Sequence, residues 1–197
     1  MWNGPMNTGK ATSKTTMISI LHFPGQVAGE ACAFTTERGT VVDTDPYSEF
    51  NCCGYTGDSP KHSLACRSRL ARELGIAADS LILPRQVHGT DVRRIDSRFL
   101  ALSIEARSLL LDGIDALVTA ERGIAIGVFT ADCVPIVLYA PRSGVAAVAH
   151  AGWKGTLHRI AASAVEAMAS MGADASDIHA VYGPAICGDC FEVGDEV

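Results

Sequence analysis

Three residues of this chain carry metal-ligand side chains and stand within two residues of glycine or proline at the edge of an apolar run: His88 in RQVHGTDV, Cys133 in TADCVP and His150 in HAGWKG. Two imidazoles and one thiolate suit zinc, and three protein ligands leave a fourth position for water or substrate, as in a catalytic site. Each residue also has a plainer reading. A free cysteine packs well as a small inert hydrophobe, and a strand-end histidine is often satisfied by its neighbours. The intervals are too long for a local metal motif, so spacing leaves both readings open. Asp132, directly before Cys133, is a candidate proton carrier and equally a turn-capping carboxylate. The same residues allow a metal-free alternative, a cysteine hydrolase or deamidase with Cys133 as nucleophile, His150 as base and Asp132 as orienter. A metal-bound thiolate is occupied, so the two roles exclude each other.

The elements that must position these groups lie mainly between Gly123 and Gly155. VPIVLYA and GVAAVAHA are apolar throughout, as strands buried on both faces are, and PRSG between them suits an antiparallel turn. That path would bring Cys133 and His150 together. Polar groups in such strands must be satisfied, by a metal ion or a substrate if not by protein. Upstream, MISILHF and ACAFTTERGTVV predict a hairpin, and PYSEFNCCGYTGDSP a surface loop rich in turn formers. Apolar spacing predicts a helix over His62–Leu74 stopped by Gly75. LILPRQVH reads as a strand ending at His88, followed by the short strand VRRI. A helix over Leu100–Leu111 precedes two strands, DALVT and GIAIGVFT. One further helix runs from Leu157 to Met171 with Gly172 as its stop, and DIHAVYGPAI gives a last strand. Many adjacent strands with few helices predict an α+β fold, a mixed β-sheet sandwich with flanking helices.

Composition narrows the partners. At 197 residues, 48% hydrophobic and 19% charged, the chain suits one well-buried domain, placed at residues 17–197 behind a disordered leader at residues 1–16. A net charge of -6 offers no basic footprint for nucleic acid or an anionic membrane, which leaves small molecules as partners. Seven irregularly spaced cysteines without a secretory signal point to a reducing, cytoplasmic setting. Cys187 and Cys190 form a CxxC that, without a second pair, reads as incidental. Oligomeric state is not encoded in any of these features.

RQVHGTDV, TADCVP, HAGWKG and GPAI followed by FEVGDEV resemble the signature blocks of the YfiH-like family, long labelled multicopper polyphenol oxidase or laccase-domain proteins and now regarded as purine nucleoside phosphorylases. The resemblance runs from about Asn51 to the last residue. It implies the family's cysteine-hydrolase-like fold and Zn2+ held by His88, Cys133 and His150. It also implies phosphorolysis of adenosine, inosine, guanosine and methylthioadenosine, with adenosine deaminase activity besides. By the same likeness Arg67 matches the arginine of the family's Asn-Arg block, with Cys66 in place of the asparagine, and would hold phosphate. Lys154 stands where the family has arginine. Asn51 and Gln86 would hydrogen-bond substrate or, equally, only loop backbone. HAGWKGT is either an anion nest or merely a tight turn, and Trp153 is expected as core filler rather than a purine-stacking ring. Relative to the family, the chain is expected to lack a C-terminal segment, which leaves a non-catalytic nucleoside-binding module as a further alternative. A self-contained multicopper oxidase is rejected on number: its copper centres need about ten histidines, and the chain has six.

Overall fold

The computed structural model describes residues 18–23, 31–40, 44–47 and 49–194. The leader expected at residues 1–16 lies outside them. The centre of the molecule is a five-stranded sheet in the order β4-β5-β8-β7-β9, made of β4 (Val92–Ile95), β5 (Ala116–Thr119), β7 (Val134–Ala140), β8 (Val145–Ala151) and β9 (His179–Tyr182). β4 and β5 run parallel and the remaining pairs antiparallel. The fold is therefore mixed α+β, with helices flanking a mixed sheet.

Side-chain alternation explains what covers each face. Ala116 and Val118 of β5, Ile136, Leu138 and Ala140 of β7, and Ala147, Ala149 and Ala151 of β8 form one core with Ile160, Ala164 and Met168. The last three lie on helix α5 (Ile160–Ser170). The alanine-rich strand surface lets this helix approach closely, and burying Ile160 and Met168 completely contributes about 1.5–3 kcal/mol each. The alternate residues Leu117 and Val148 face the other way. They pack with Ile82, Ile95, Phe99, Leu111 and Ile114, so β5 and β8 are apolar on both sides. Residues 115, 133 and 150 share the parity of that second face.

Two smaller sheets surround this centre. β1 (Ile18–Leu21) pairs antiparallel with β2 (Ala33–Thr36), as the hairpin reading expects. β3 (Leu81–Ile82) pairs parallel with β6 (Ala125–Ile126). Helix α1 (Pro60–Leu74) starts at the Ser59 cap with Pro60 in its first turn and ends at Gly75 in the left-handed conformation. Its buried Cys66 and Leu70 pack with Phe50 and Cys52. The loop before it is irregular, as expected, but Phe50, Cys52 and Cys53 are buried, so its middle is core rather than surface.

Several boundaries differ from the sequence reading. LILPRQVH keeps only β3 as strand, because the following chain turns away and Gln86 pairs with the Phe129 backbone instead, donating to its carbonyl at 2.8 Å and accepting from its N–H at 2.7 Å. For the same reason GIAIGVFT retains only β6. The helix over Leu100–Leu111 is two, α2 (Ser97–Leu100) and α3 (Ile104–Leu110), each with its own cap at Asp96 and Ser103. The helix expected over Leu157–Met171 is likewise split. A short α4 (Trp153–Leu157) precedes α5, and Arg159 between them has φ +67°, outside the helical region. No helix among the described residues is long and apolar enough to cross a membrane.

Candidate functional site

β-sheet register brings Cys133 and His150 together. Pro135 lies opposite His150 and Val134 opposite Ala151, so Cys133, one residue before β7, continues the ladder diagonally from His150 on the same face. His88 arrives from the irregular loop after β3, not from a strand end as the sequence suggests. Its backbone has φ +61°, a left-handed conformation uncommon outside glycine and held only where surroundings impose it. The three ligand atoms, one each from His88, Cys133 and His150, all lie within 4.8 Å of one another. The two imidazoles meet edge to face with centroids 4.6 Å apart. His88 is exposed, Cys133 half-buried and His150 buried.

What imposes this arrangement is Asp115, a residue the sequence reading passed over. It precedes β5 and sits across from His150, whose N–H donates to its carbonyl at 2.8 Å. The carboxylate is fully buried, at 0% exposure. Its Oδ2 accepts from the N–H groups of Val87 and Gly89 at 3.0 and 2.8 Å, and Oδ1 accepts from the His88 N–H at 3.0 Å. Oδ1 also meets His150 Nδ1 at 2.8 Å. One side chain thus pins the His88 loop and orients the His150 ring, leaving His150 Nε2 for the site. Burial would raise the Asp115 pKa, but the bonds from His150, Val87 and Gly89 outweigh it and hold the carboxyl below its ordinary range. By contrast the Cys133 thiol is pushed up, by burial and then by the charges of Asp132 and Asp115.

A two-nitrogen, one-sulfur donor set fits a borderline-soft ion such as zinc. Gly152 lets the His88 ring and the Cys133 sulfur approach the backbone closely. A side chain there would place its Cβ 2.8 Å from His88 Cδ2 and 3.2 Å from Cys133 Sγ. Gly155 is similarly needed, since its Cβ would lie 3.1 Å from the Gly89 carbonyl. The orienting carboxylate is Asp115, so the expected Cys133–His150–Asp132 triad is corrected in its third member.

The other expected residues distribute differently. Asp132 is exposed beside Cys133, and its carbonyl accepts from the Ile186 N–H at 3.0 Å. Arg67 and Gln86 meet two aromatic rings, Tyr55 and Phe129, which lie edge to face at 5.7 Å. Arg67 lies over Phe129 at 5.8 Å and commits its Nε to the Cys52 carbonyl at 2.7 Å. Asn51 is turned into its own loop: its side chain donates to the Cys53 carbonyl and the Asp58 carboxylate and accepts from the Cys53 N–H. The Tyr55 hydroxyl accepts from the Gln86 N–H at 3.2 Å. Burial foremost, with the Asp115 charge among the lesser causes, raises its pKa. Lys154 and Trp153 are exposed on α4, with the ammonium 5.3 Å from the ring centre. Trp153, 37% exposed, is therefore not core filler.

With this geometry in place, a family model described as multi-copper polyphenol oxidoreductase laccase matches residues 31–197. Among similar curated proteins is adenosine deaminase RL5 from an unknown prokaryotic organism, 52% identical over 177 residues that make up 90% of this chain and 67% of that protein. Purine nucleoside phosphorylase ORF3 of Streptomyces griseus is 40% identical over 178 residues, 90% of this chain and 70% of its own length. The chain thus spans about two thirds of these relatives. Two solved structures share the fold. The hypothetical protein YfiH of Bacillus licheniformis has a TM-score of 0.73 at 28% identity, covering 84% of this chain and 62% of that one. YlmD of Geobacillus stearothermophilus has a TM-score of 0.68 at 32% identity, covering 76% and 57%.

Proposed function

This chain belongs to the family described as multi-copper polyphenol oxidoreductase laccase, and from that premise we propose that it is a zinc-dependent purine nucleoside phosphorylase with adenosine deaminase activity. The observation that carries this reading is the convergence of His88, Cys133 and His150 within 4.8 Å, together with relatives named for these two activities. The substrates proposed are adenosine, inosine, guanosine and methylthioadenosine, with phosphate as the second reactant.

His88, Cys133 and His150 would hold the ion. Bound there, zinc would supply Lewis acidity to substrate or water. Asp115 keeps the His150 proton on Nδ1, so that Nε2 presents its lone pair to the site. In phosphorolysis a phosphate oxygen forms a bond to the ribose anomeric carbon while the bond to the purine nitrogen breaks. The electron pair leaves with the base, which takes up a proton. Arg67 is the candidate phosphate fork. Because its Nε is engaged by Cys52, capture falls to its terminal nitrogens. Lys154 is a second, point-charge candidate. In deamination, water adds to the purine carbon bearing the amino group and ammonia departs, with Asp132 as proton carrier beside Cys133. Gln86 serves by holding the Phe129 segment, and Asn51 by holding its own loop, since their amides are already engaged by backbone.

Product analysis of adenosine incubated with and without phosphate tests this. Adenine with ribose phosphate marks the phosphorylase and inosine the deaminase. Absence of all three products from metal-loaded protein would refute both. The Cys133–His150–Asp115 alignment also suits a cysteine hydrolase. Alkylation of Cys133 that zinc fails to slow would favour it.

A further inference from the structure

Cys187 and Cys190 take no part in the purine reading, yet their placement is specific. Residues Gly188–Cys190 form a single 3-10 turn closed by the Cys190 N–H on the Cys187 carbonyl at 3.0 Å. The turn sets the two sulfur atoms 3.0 Å apart, within hydrogen-bond distance of each other. Both residues are exposed, whereas Cys52, Cys53 and Cys66 are buried and Cys133 belongs to the site above. We propose that Cys187 and Cys190 are a thiol–disulfide exchange site whose substrate is a low-molecular-weight disulfide.

The turn makes the two thiols unequal. The hydrogen bond between the two thiols, followed by backbone N–H groups, lowers the Cys187 pKa, and the same bond raises that of Cys190. Cys187 is thus the attacking sulfur and Cys190 the resolving one. The Cys187 thiolate, its proton lost to solvent, attacks one sulfur of the small disulfide. That S–S bond breaks, and its electron pair leaves on the released thiolate, which takes up a proton. Cys190 then loses its proton and attacks Cys187 Sγ in the mixed disulfide, expelling the second small thiol. The protein gives up two electrons and two protons, and the small disulfide gains them as two thiols.

Backbone contacts fix where this happens. The Gly183 N–H donates to the Pro135 carbonyl at 2.9 Å and the Ile186 N–H to the Asp132 carbonyl at 3.0 Å. These bonds straddle Cys133, so the dithiol is tethered to the chain segment that supplies the central sulfur of the candidate metal centre. The exchange chemistry itself does not depend on the purine reading.

Oxidised glutathione is the probe. The whole chain is incubated with it, quenched with acid and alkylating agent, and mapped by peptide mass. Expected in the wild type is an internal Cys187–Cys190 disulfide, two hydrogens lighter, with no mixed disulfide accumulating. Cys190→Ser should trap a glutathione adduct on Cys187. Cys187→Ser should form an adduct at Cys190 more slowly, near the rate of Cys32, which is exposed and has no second thiol three residues away. The proposal is overturned if wild-type Cys187 and Cys190 stay alkylatable, if both carry glutathione without closing, or if the two single variants react at equal rates.

Discussion

Thiol, imidazole and carboxylate meet twice among the described residues, and the two meetings are built in opposite ways. Asp58, just before the α1 cap, and His62 and Cys66 on α1 follow one another at four-residue spacing: Asp58 Oδ2 meets His62 Nδ1 at 2.7 Å and His62 Nε2 meets Cys66 Sγ at 3.4 Å. Both ring nitrogens are spoken for, Cys66 Sγ also accepts the Asn51 N–H at 3.4 Å, and the cysteine is 4% exposed. In the candidate metal centre, Asp115, His150, Cys133 and His88 come from separate segments. There only His150 Nδ1 is engaged, and neither the His88 ring nor Cys133 Sγ has a hydrogen-bond partner among the described residues. The first cluster is saturated by its own helix and loop. The second presents donors without partners to one point, and such donors are what a ligand completes.

That contrast can be broken by substitution. Cys133→Ala and His150→Ala should reduce adenosine turnover to background, while Cys66→Ala should leave it within about twofold, since that group touches no reacting atom. Asp115→Asn comes next. Losing an orienting carboxylate typically costs about 10–100-fold in metal affinity, measurable by competition with a chromogenic chelator. The same change should flatten the acid limb of stability. Asp115 has a depressed folded pKa, so its contribution is present above the ordinary carboxylate pKa and disappears as pH falls through the lower folded value. Chemical denaturation from neutral pH to below about pH 4 would show the wild type losing stability there and the variant losing less. Gly152→Ala should weaken metal binding without unfolding the sheet, because its Cβ would crowd the His88 ring and Cys133 sulfur. Smallest is His62→Ala, expected to cost about 1–2 kcal/mol of stability with kcat/KM unchanged. A loss of turnover there would erase the distinction between the clusters.

How far the sequence revealed each part follows from where its determinants lie. The β7–β8 hairpin was readable because two apolar runs and the PRSG turn are local signals, and with it came the pairing of Cys133 with His150. α1 was readable from its spacing and its glycine stop. Asp115 was not, because DGIDALVT contains nothing that distinguishes it from Asp112. Its role comes from cross-strand register with His150 and from three amides of a distant loop. His88 looked like a strand end since LILPRQVH is apolar, but the Asp115 clasp turns the backbone there. Asn51 and Gln86 have the right side chains for substrate contacts, yet both face inward to backbone. The α4–α5 break at Arg159 left no signal in an otherwise continuous apolar stripe.

Cobalt(II) titration followed by electronic absorption tests the shared coordination most directly, because a thiolate ligand gives a charge-transfer band that imidazole does not. One equivalent should produce that band in the wild type and in Cys66→Ala, and Cys133→Ala should lack it. A band that survives in Cys133→Ala, or that vanishes in Cys66→Ala while the fold is intact, would contradict a metal centre built on His88, Cys133 and His150.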